Sequence, residues 1–335
     1  MLFRGTLATL DARHWTRPCE VWENGVDVAL RLDGVTKRYG SFLAVDHFSV
    51  EAPTGRILGF LGPNGAGKTS SIRMIMSIMY PDAGRIEVLG HDRALAVKDR
   101  IGYLPEERGL YRKMTVEATL RYFGKLKGMS AARIRERVPK LLADVDLTAW
   151  SKKPVESLSK GMQQKLQFIS TILHEPELVI LDEPFSGLDP INMDLLQKLM
   201  LDLRNQGVTV VFSTHQMENA QRLCDRLVLI NRGRKLIDGS MEQIRAQFSE
   251  RIVTINGEGD FAALADLPGV QSSQIVEGHA RLEVGDSVDP NELAQGAMRH
   301  IRLSSFEVQR PSLHEIFVKL VHSDRGQPAG EEAAA

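Results

Sequence analysis

The chain has 335 residues, of which 43% are hydrophobic and 25% charged, the usage of an ordinary globular protein. Its 42 Lys and Arg residues against 43 Asp and Glu residues give a net charge of −1, which argues against a protein built mainly to coat nucleic acid. Two cysteines, Cys19 and Cys224, exclude a disulfide framework and fit a reducing cytosol. At roughly 150 residues per domain, the length suggests about two domains.

The first 27 residues show no clear hydrophobic period and form an unassigned N-terminal extension. They include charged residues at Arg4, Asp11 and Arg13 and lack the apolar run of a secretory signal peptide. Nowhere does the chain contain about 18 consecutive apolar residues, so no membrane-spanning segment is predicted. These observations predict an intracellular protein.

From about residue 28, the pattern alternates between strands and helices. Short apolar runs at 57–61, 178–181 and 208–212 are typical of strands that are buried on both faces of a parallel sheet. Helical patterns follow Lys68, Pro190 and His215. The fold class is therefore predicted to be α/β, a layered sheet with helices packed on it.

The segment directly after the first run carries a phosphate-binding pattern. Its residues fit G-x-x-x-x-G-K-[ST] and continue into Ser70; they are Gly62, Pro63, Asn64, Gly65, Ala66, Gly67, Lys68 and Thr69. Glycines let the backbone wrap closely around phosphates, and the N–H groups of the following helix point at them. Lys68 is expected to reach the β- and γ-phosphates of a nucleotide, and Thr69 to bind Mg²⁺.

Between about 106 and 170 the strands give way to helices. Thr115 can cap one helix, and apolar residues at 134, 138, 141, 142 and 145 define a second amphipathic helix. Ser159, in the run Leu-Ser-Lys-Gly-Met-Gln-Gln over 158–164, stands at the start of a third helix. This pattern predicts a helical subdomain inserted into the α/β core.

The run at 178–181 ends in Asp182 and Glu183. A carboxylate at the end of a buried strand beside a phosphate loop can hold Mg²⁺ through water, which we assign to Asp182. Glu183 is the candidate general base that polarises an attacking water molecule. Considered alone, the pair is also compatible with two strand-end acids that face solvent.

The last part of the chain has a different character. Strand patterns over 280–284 and 301–303 are followed by capping-box spacing from Ser312 to Glu315 and an apolar helical stripe. These features predict a small α+β domain over about 250–321, followed by a disordered tail over 322–335.

Taken together, the motifs resemble those of ABC ATPases. The run that contains Ser159 and Gly161 resembles the family's LSGGQ signature, and Ser186-Gly187-Leu188-Asp189 resembles its D-loop. The resemblance implies that Glu183 is the catalytic glutamate, that His215 contacts the γ-phosphate, and that Tyr39 stacks on adenine. It covers about residues 28–245 and implies a P-loop NTPase core, a RecA-like parallel sheet.

The family resemblance also implies an assembly. Two chains would pack head-to-tail around two ATP molecules, so that each site combines one phosphate loop with the partner's signature, which contains Ser159 and Gly161. Asp189 of the D-loop is also expected to bind the nucleotide. The two chains would bind a separate integral membrane permease at the cytoplasmic face of the cell membrane. No nucleic acid partner is expected.

Two details qualify the family pattern. Glu106 stands where the family usually has Gln, and a Glu keeps an oxygen ligand for Mg²⁺ while adding negative charge. The signature segment, the D-loop and the C-terminal run Arg-Pro-Ser-Leu-His-Glu-Ile-Phe over 310–317 resemble the sodium- and drug-efflux (ABC-2 type) branch of bacterial exporters.

Two other functions stay open at this point. The chain could be a soluble ABC ATPase without transport, acting in assembly or regulation. It could also be a binding module with inactive chemistry, but Lys68, Asp182, Glu183 and His215 are all present.

Overall fold

The computed structural model describes residues 27–107, 109–248 and 250–325. They form two compact units, which meet in the sequence between Asp238 and Gly239. The predicted N-terminal extension lies outside the described residues except for Asp27, as does most of the predicted disordered tail.

A six-stranded sheet in the first unit has the strand order β5-β6-β7-β3-β8-β9. Its strands are β3 Ile57–Leu61, β5 Ile101–Leu104, β6 Leu178–Asp182, β7 Thr209–Thr214, β8 Arg226–Asn231 and β9 Arg234–Gly239. The pairs β5–β6, β6–β7, β7–β3 and β3–β8 are parallel. Because β3, β6 and β7 are buried along their whole length, they appear in the sequence as continuous apolar runs. The predicted α/β fold is confirmed.

The register of the parallel sheet positions the site. Asp182 lies beside Ser213, and Leu61 lies beside Thr214. The carboxyl ends of β3, β6 and β7 therefore meet at one edge of the sheet, where the side chains that follow each strand come together.

The same unit contains a second, antiparallel sheet, which the sequence pattern did not predict. It consists of β1 Val28–Tyr39, β2 Phe42–Pro53 and β4 Ala83–Val88, in the order β2-β1-β4. Its apolar face shares one core with β3 and the first helix, to which Leu30, Phe48 and Ile72 belong. Burial of such residues supplies the main stabilisation of the unit.

The helices of the first unit are α1 Lys68–Ile75, α2 Val116–Leu126, α3 Ala131–Asp144, α4 Lys160–Ile172, α5 Pro190–Asn205 and α6 Met217–Leu223. Thr115 caps α2 by accepting a hydrogen bond from the N–H of Ala118 at 3.2 Å. The predicted apolar face of α3 is buried from Ile134 to Leu142. Among the residues that the structure describes, no helix has both the length and the apolarity needed to cross a membrane.

The second unit contains a four-stranded antiparallel sheet in the order β11-β12-β10-β13. Its elements are α7 Met241–Ala246, β10 Glu250–Gly259, a short 3₁₀ helix Ala262–Asp266, β11 Val270–Val276, β12 His279–Gly285, α8 Pro290–Ala297, β13 Ile301–Gln309 and α9 Leu313–Arg325. From β10 to β13, this order and connectivity form a split βαβ arrangement, with a 3₁₀ turn as the first crossover.

The last helix of the second unit begins with the predicted capping box. The N–H of Ser312 donates to the Glu315 carboxylate at 2.6 Å, and the N–H of Glu315 donates to the Ser312 hydroxyl at 3.3 Å. Glu315 and Lys319 of α9 form ion pairs with Arg281 and Glu283 of β12. The helix continues to Arg325, four residues into the segment assigned to the tail.

Candidate active site

The loop between β3 and α1 has the shape that a phosphate loop needs. A Cβ atom on Gly62 would lie 2.1 Å from the carbonyl oxygen of Ile230, so only glycine fits there. Gly67 caps α1 with a φ of 104°, a left-handed conformation that favours glycine. By contrast, apart from its two chain neighbours, no described residue has an atom within 4 Å of the Cβ position of Gly65. The loop is thus packed on the protein side and open at Gly65.

Lys68 lies within this loop and is only 5% exposed. Its ammonium donates to the carbonyl oxygens of Gly62 at 2.7 Å and Pro63 at 3.1 Å. It also lies 3.4 Å from Oε1 of Glu183. The lysine therefore connects the loop after β3 with Glu183, which follows β6. This contact supplies the partner that a buried charge requires.

Asp182 lies at the end of β6 and is 1% exposed. Its Oδ1 accepts hydrogen bonds from the Ser213 hydroxyl at 2.6 Å and the Thr69 hydroxyl at 3.2 Å. Burial raises the pKa of Asp182, the two hydrogen bonds oppose this shift, and the charge of Glu183 adds to it.

The arrangement of Asp182 and Thr69 fits a magnesium ion. Both hydrogen bonds go to Oδ1, and none of the described residues bonds to Oδ2, which leaves that oxygen available to a cation. Mg²⁺ is usually bound by one or two protein oxygens together with substrate phosphates. The described part of the chain contains no cluster of three or more His, Cys, Asp or Glu residues that could hold a metal ion.

Glu183 has an unusual backbone and a precise set of contacts. Its φ is 49°, which is uncommon for a non-glycine residue. The Ser213 hydroxyl accepts a hydrogen bond from its N–H at 2.9 Å. Its Oε2 lies 3.0 Å from Nδ1 of His215, and its Oε1 makes no hydrogen bond to any described residue. Glu183 is 7% exposed, so Oε1, which lies 3.4 Å from the Lys68 ammonium, is an acceptor in a poorly solvated site.

His215 is oriented by this contact. Its side chain is 45% exposed, in contrast to the buried Glu183. An ionised Glu183 only accepts hydrogen bonds, so Nδ1 carries the proton and Nε2 faces away from the carboxylate. The imidazole can donate to a second anion only when Nε2 is protonated as well.

Ser213 was not among the predicted site residues. Its hydroxyl is buried between Asp182 and the backbone of Glu183 and bonds to both. A hydroxyl residue at the end of an apolar run, beside a predicted site histidine, is a signal that could have identified it.

The signature segment forms the start of α4. Ser159 caps this helix by accepting a hydrogen bond from the N–H of Met162 at 3.2 Å. A Cβ atom on Gly161 would lie 3.0 Å from Nδ2 of Asn192, so the segment packs against the start of α5. Asp189 caps α5 by accepting a hydrogen bond from the N–H of Asn192 at 3.0 Å. This bond and a second one from the side-chain amide of Asn192 lower the pKa of Asp189. Within the described residues, no hydrogen bond joins the Ser159 side chain to the phosphate loop.

Two buried glutamines on α4 connect the signature helix to the site loops. Gln164 donates to the carbonyl oxygen of Pro184, directly after Glu183, at 3.0 Å. Gln167 donates to the carbonyl oxygen of Glu107 at 3.3 Å. Both are contacts that the sequence motifs did not predict.

Glu106 and Tyr39 stand apart from this cluster. Glu106 is exposed, and among the described residues it forms no hydrogen bond or ion pair with Thr69 or Asp182. It lies near Tyr103, whose pKa is raised to about 12, mainly by burial and then by the charge of Asp182, with Glu106 adding a smaller effect. Tyr39 is 46% exposed, and its hydroxyl contacts the Met79 sulfur at 3.0 Å.

The other predicted binding residues all lie on the phosphate loop or the first turn of α1. Asn64 and Pro63 are exposed, Ala66 is buried, and Thr69 and Ser70 are half-buried. The structure thus brings together Lys68, Thr69, Asp182, Glu183 and His215 around one edge of the sheet.

Two protein families match the chain in sequence. Residues 45–186 match the family described as ABC transporter, and residues 239–321 match the family described as ATP-binding protein DrrA1-3-like, C-terminal domain.

Individual proteins are similar over most of the chain. An uncharacterized ABC transporter ATP-binding protein, YhaQ of Bacillus subtilis, is 39% identical over 87% of this chain and 98% of its own length. The daunorubicin resistance ATP-binding protein DrrA3 of Streptomyces coeruleorubidus is 35% identical over 89% of this chain and 98% of its own length. A solved ATP-binding subunit of an ABC transporter is 32% identical, with a TM-score of 0.61 over 66% of this chain and 93% of that one.

Proposed function

Because this chain belongs to the ATP-binding proteins of ABC transporters, a family of ATPases, we propose that two copies of it hydrolyse ATP to drive a separate membrane permease that exports its substrate. The observation that carries the catalytic part of this proposal is the buried contact between Lys68, Glu183 and His215 where parallel strands end. Oε1 of Glu183 makes no hydrogen bond to a described residue and has the Lys68 ammonium as its ion-pair partner at 3.4 Å, so it becomes available when Lys68 turns to a phosphate.

The phosphate loop is proposed to bind the triphosphate of ATP. Its glycines admit phosphates, the first N–H groups of α1 point at them, and Lys68 neutralises the β- and γ-phosphates. Lys68 bonds to two loop carbonyls and Glu183, so its transfer to phosphate frees the Glu183 carboxylate. Tyr39, with its half-exposed ring, is proposed to stack on adenine.

We assign a Mg²⁺ site to Thr69 and Asp182, whose side-chain oxygens are already adjacent. When bound, this ion would offset negative charge on the phosphates. Glu106 is the third proposed ligand, and its contribution is the weakest because it is exposed.

Glu183 is proposed to act as the general base. Once Lys68 turns to the phosphates, the poorly solvated Oε1 can accept a proton from the attacking water molecule, an effect of about 10²–10⁴-fold on rate. His215 holds the other carboxylate oxygen at 3.0 Å. Once protonated on Nε2, His215 can also donate to the γ-phosphate, which joins base and substrate through one ring.

The signature is proposed to act on the ATP of a second copy. Ser159 and Gly161 present a helix start that can bind anions, yet the hydroxyl of Ser159 bonds only locally among the described residues. A symmetric head-to-tail pair would place this helix start and Asp189 against the partner's nucleotide. ATP would then hold the two nucleotide sites of the homodimer together, and hydrolysis would separate them.

The family matches support the export assignment. DrrA3 is named for daunorubicin resistance, and the second unit matches the C-terminal domain family of such proteins. We therefore propose an ATPase domain over about residues 28–245 and an accessory domain over about 250–321. We place the subunit at the cytoplasmic face of the membrane, bound to a permease.

Glu183→Gln tests the chemistry and the dimer together. The amide cannot accept the proton, so turnover should fall by at least about 100-fold while ATP binding persists. Light scattering after size exclusion should then show more dimer with ATP than without it, whereas ATP should not change the mass of the Lys68→Ala, Glu183→Gln double variant. Normal hydrolysis by Glu183→Gln would show that Glu183 is not the base.

Ser159→Arg in the Glu183→Gln background tests the contact between two copies. The larger cation should block the ATP-dependent dimer because it fills the space for the partner's phosphate. Ser130→Arg is the matched control, since Ser130 caps α3 through the N–H of Arg133 at 3.2 Å, with the same geometry outside the site. Equal dimer formation by both variants would refute the trans assignment.

The transport assignment is tested by membrane association. The tagged chain should co-purify with a multi-span permease, and export by that complex should depend on Glu183. An ATPase that purifies alone and leaves export unchanged when deleted would favour the soluble, non-transport alternative.

A further inference from the structure

Edge strands of the three sheets differ in how they are protected from further pairing. Exposed edges offer free backbone groups to other strands, and proteins usually block them with charged side chains. Charged residues stand on four of the six edge strands in the described chain: β2, β4, β9 and β13. Examples are Glu51, Arg85, Lys235 and Arg302.

The two uncharged edge strands are not equivalent. Strand β5 has four residues, and the carbonyl of Ile101 accepts hydrogen bonds from Lys127 at 2.8 Å and His174 at 3.1 Å. Strand β11 has seven residues, Val-Gln-Ser-Ser-Gln-Ile-Val, and every one after Val270 is exposed. Val276 is 66% exposed. Among the edge strands of the described residues, only β11 is therefore long, uncharged and open.

We propose that β11 pairs in antiparallel fashion with β11 of a second copy of this chain, so that the two four-stranded sheets become one sheet of eight strands. The occupant is a second copy because the edge is uncharged and thus complementary to itself. A charged peptide would find no opposite charge on this strand.

The regular part of the strand sets the register. Residues 272–276 pair with β12 without interruption, whereas the register shifts between Val270 and Ser272. A two-fold axis through the centre of this regular segment lies at Gln274. Ile275 of one copy then lies opposite Ser273 of the other, and Val276 opposite Ser272. Glu277, at the following turn, faces Gln271 and not another carboxylate.

This pairing goes beyond the proposed function, since it requires neither ATP nor the catalytic residues. Two chains already joined through β11 would meet at their nucleotide sites at a raised effective concentration. The contact would persist when ATP has been hydrolysed.

Cysteine cross-linking in the full chain without nucleotide tests the register. With Cys19 and Cys224 replaced by Ala, Gln274→Cys should form a disulfide-linked dimer under mild oxidation, because the two residues lie directly opposite each other. Ser304→Cys is the control, since it is an exposed position on the opposite edge strand, β13. No dimer from Gln274→Cys, or equally fast dimers from both variants, would overturn the pairing.

Sedimentation of the nucleotide-free chain gives the second readout. The weight-average mass should correspond to a dimer and fall by half in Ile275→Lys and Val276→Lys. Val318→Lys is the matched control, because it adds the same charge at an exposed apolar residue on α9. A monomeric wild-type chain would refute the proposal. Its failure is separable from failure of the ATP-bound dimer, which is measured as the ATP-dependent gain in mass of Glu183→Gln with Ile275→Lys added to remove the β11 contact.

Discussion

Replacing Ser213 by Ala is the sharpest test of how the site is held. The Ser213 hydroxyl donates to Asp182 at 2.6 Å and accepts from the Glu183 N–H at 2.9 Å, and the residue is 0% exposed. Neither of its side-chain hydrogen bonds goes to the phosphate loop. Its effect on rate would therefore act through the positions of Glu183 and Asp182.

The size of the effect follows from the two hydrogen bonds. Removing the hydroxyl leaves a buried N–H donor unpaired, which costs about 1–3 kcal/mol of unfolding free energy. The left-handed conformation of Glu183, with φ at 49°, is itself unfavourable by the order of 1–3 kcal/mol and needs such support. Loss of about 1.4 kcal/mol from the productive conformation corresponds to a tenfold fall in kcat.

Steady-state ATP hydrolysis at saturating Mg²⁺ separates this role from a general loss of stability. The kcat of Ser213→Ala should fall about tenfold while the KM for ATP changes by less than about twofold. Ser213→Thr keeps the hydroxyl and should restore most of kcat. Thr209→Ala is the matched control, since Thr209 lies on the same strand, is 0% exposed, and accepts from the Gly55 N–H at 2.9 Å.

Two results would refute the reasoning. Equal kcat in Ser213→Ala and Thr209→Ala, at equal loss of unfolding free energy, would reduce Ser213 to a packing residue. Failure of Ser213→Thr to recover activity would show that the hydroxyl is not what holds Glu183.

Three further outcomes are expected. Glu106→Gln should retain ATP hydrolysis but change the Mg²⁺ concentration at half-maximal rate, and an unchanged Mg²⁺ titration would exclude a metal role. His215→Ala should lower kcat at least tenfold with little change in ATP affinity measured by fluorescent nucleotide binding, since it removes the partner of Glu183 at 3.0 Å. Burial lowers the pKa of His174 to about 4 from its ordinary 6.5, so its stabilising contribution is complete above pH 6.5 and is lost as the pH falls towards 4. Denaturation at pH 7 and pH 5 should show about 2 kcal/mol of this loss, which the non-titrating His174→Gln should lack.

Much of the fold could be predicted from local sequence patterns. The strands of the parallel sheet are continuous apolar runs, and helices α2 to α4 have caps or an apolar period within their own sequence. The antiparallel sheet of β1, β2 and β4 was not predicted, because register shifts at Val35 and Lys37 interrupt the alternation of apolar and polar residues that would indicate β1. Strand β11 has a polar, exposed sequence and is a strand because it pairs with β12.

In the site, the residue types could be predicted from the sequence, whereas the contacts between them could not. Motifs identified Lys68, Asp182 and Glu183 because chemistry demands those residue types at fixed spacings. They did not predict that Lys68 pairs with Glu183. This contact depends on the order of strands in the sheet, where β7 lies between β3, which precedes Lys68, and β6, which precedes Glu183. Ser213 follows from the same sheet register: a hydroxyl at the end of β7 lies beside Asp182 only when β6 and β7 are parallel neighbours. Once that pairing is known, the serine is the one side chain of β7 that must face the carboxylate, so its role is a consequence of topology and not of motif.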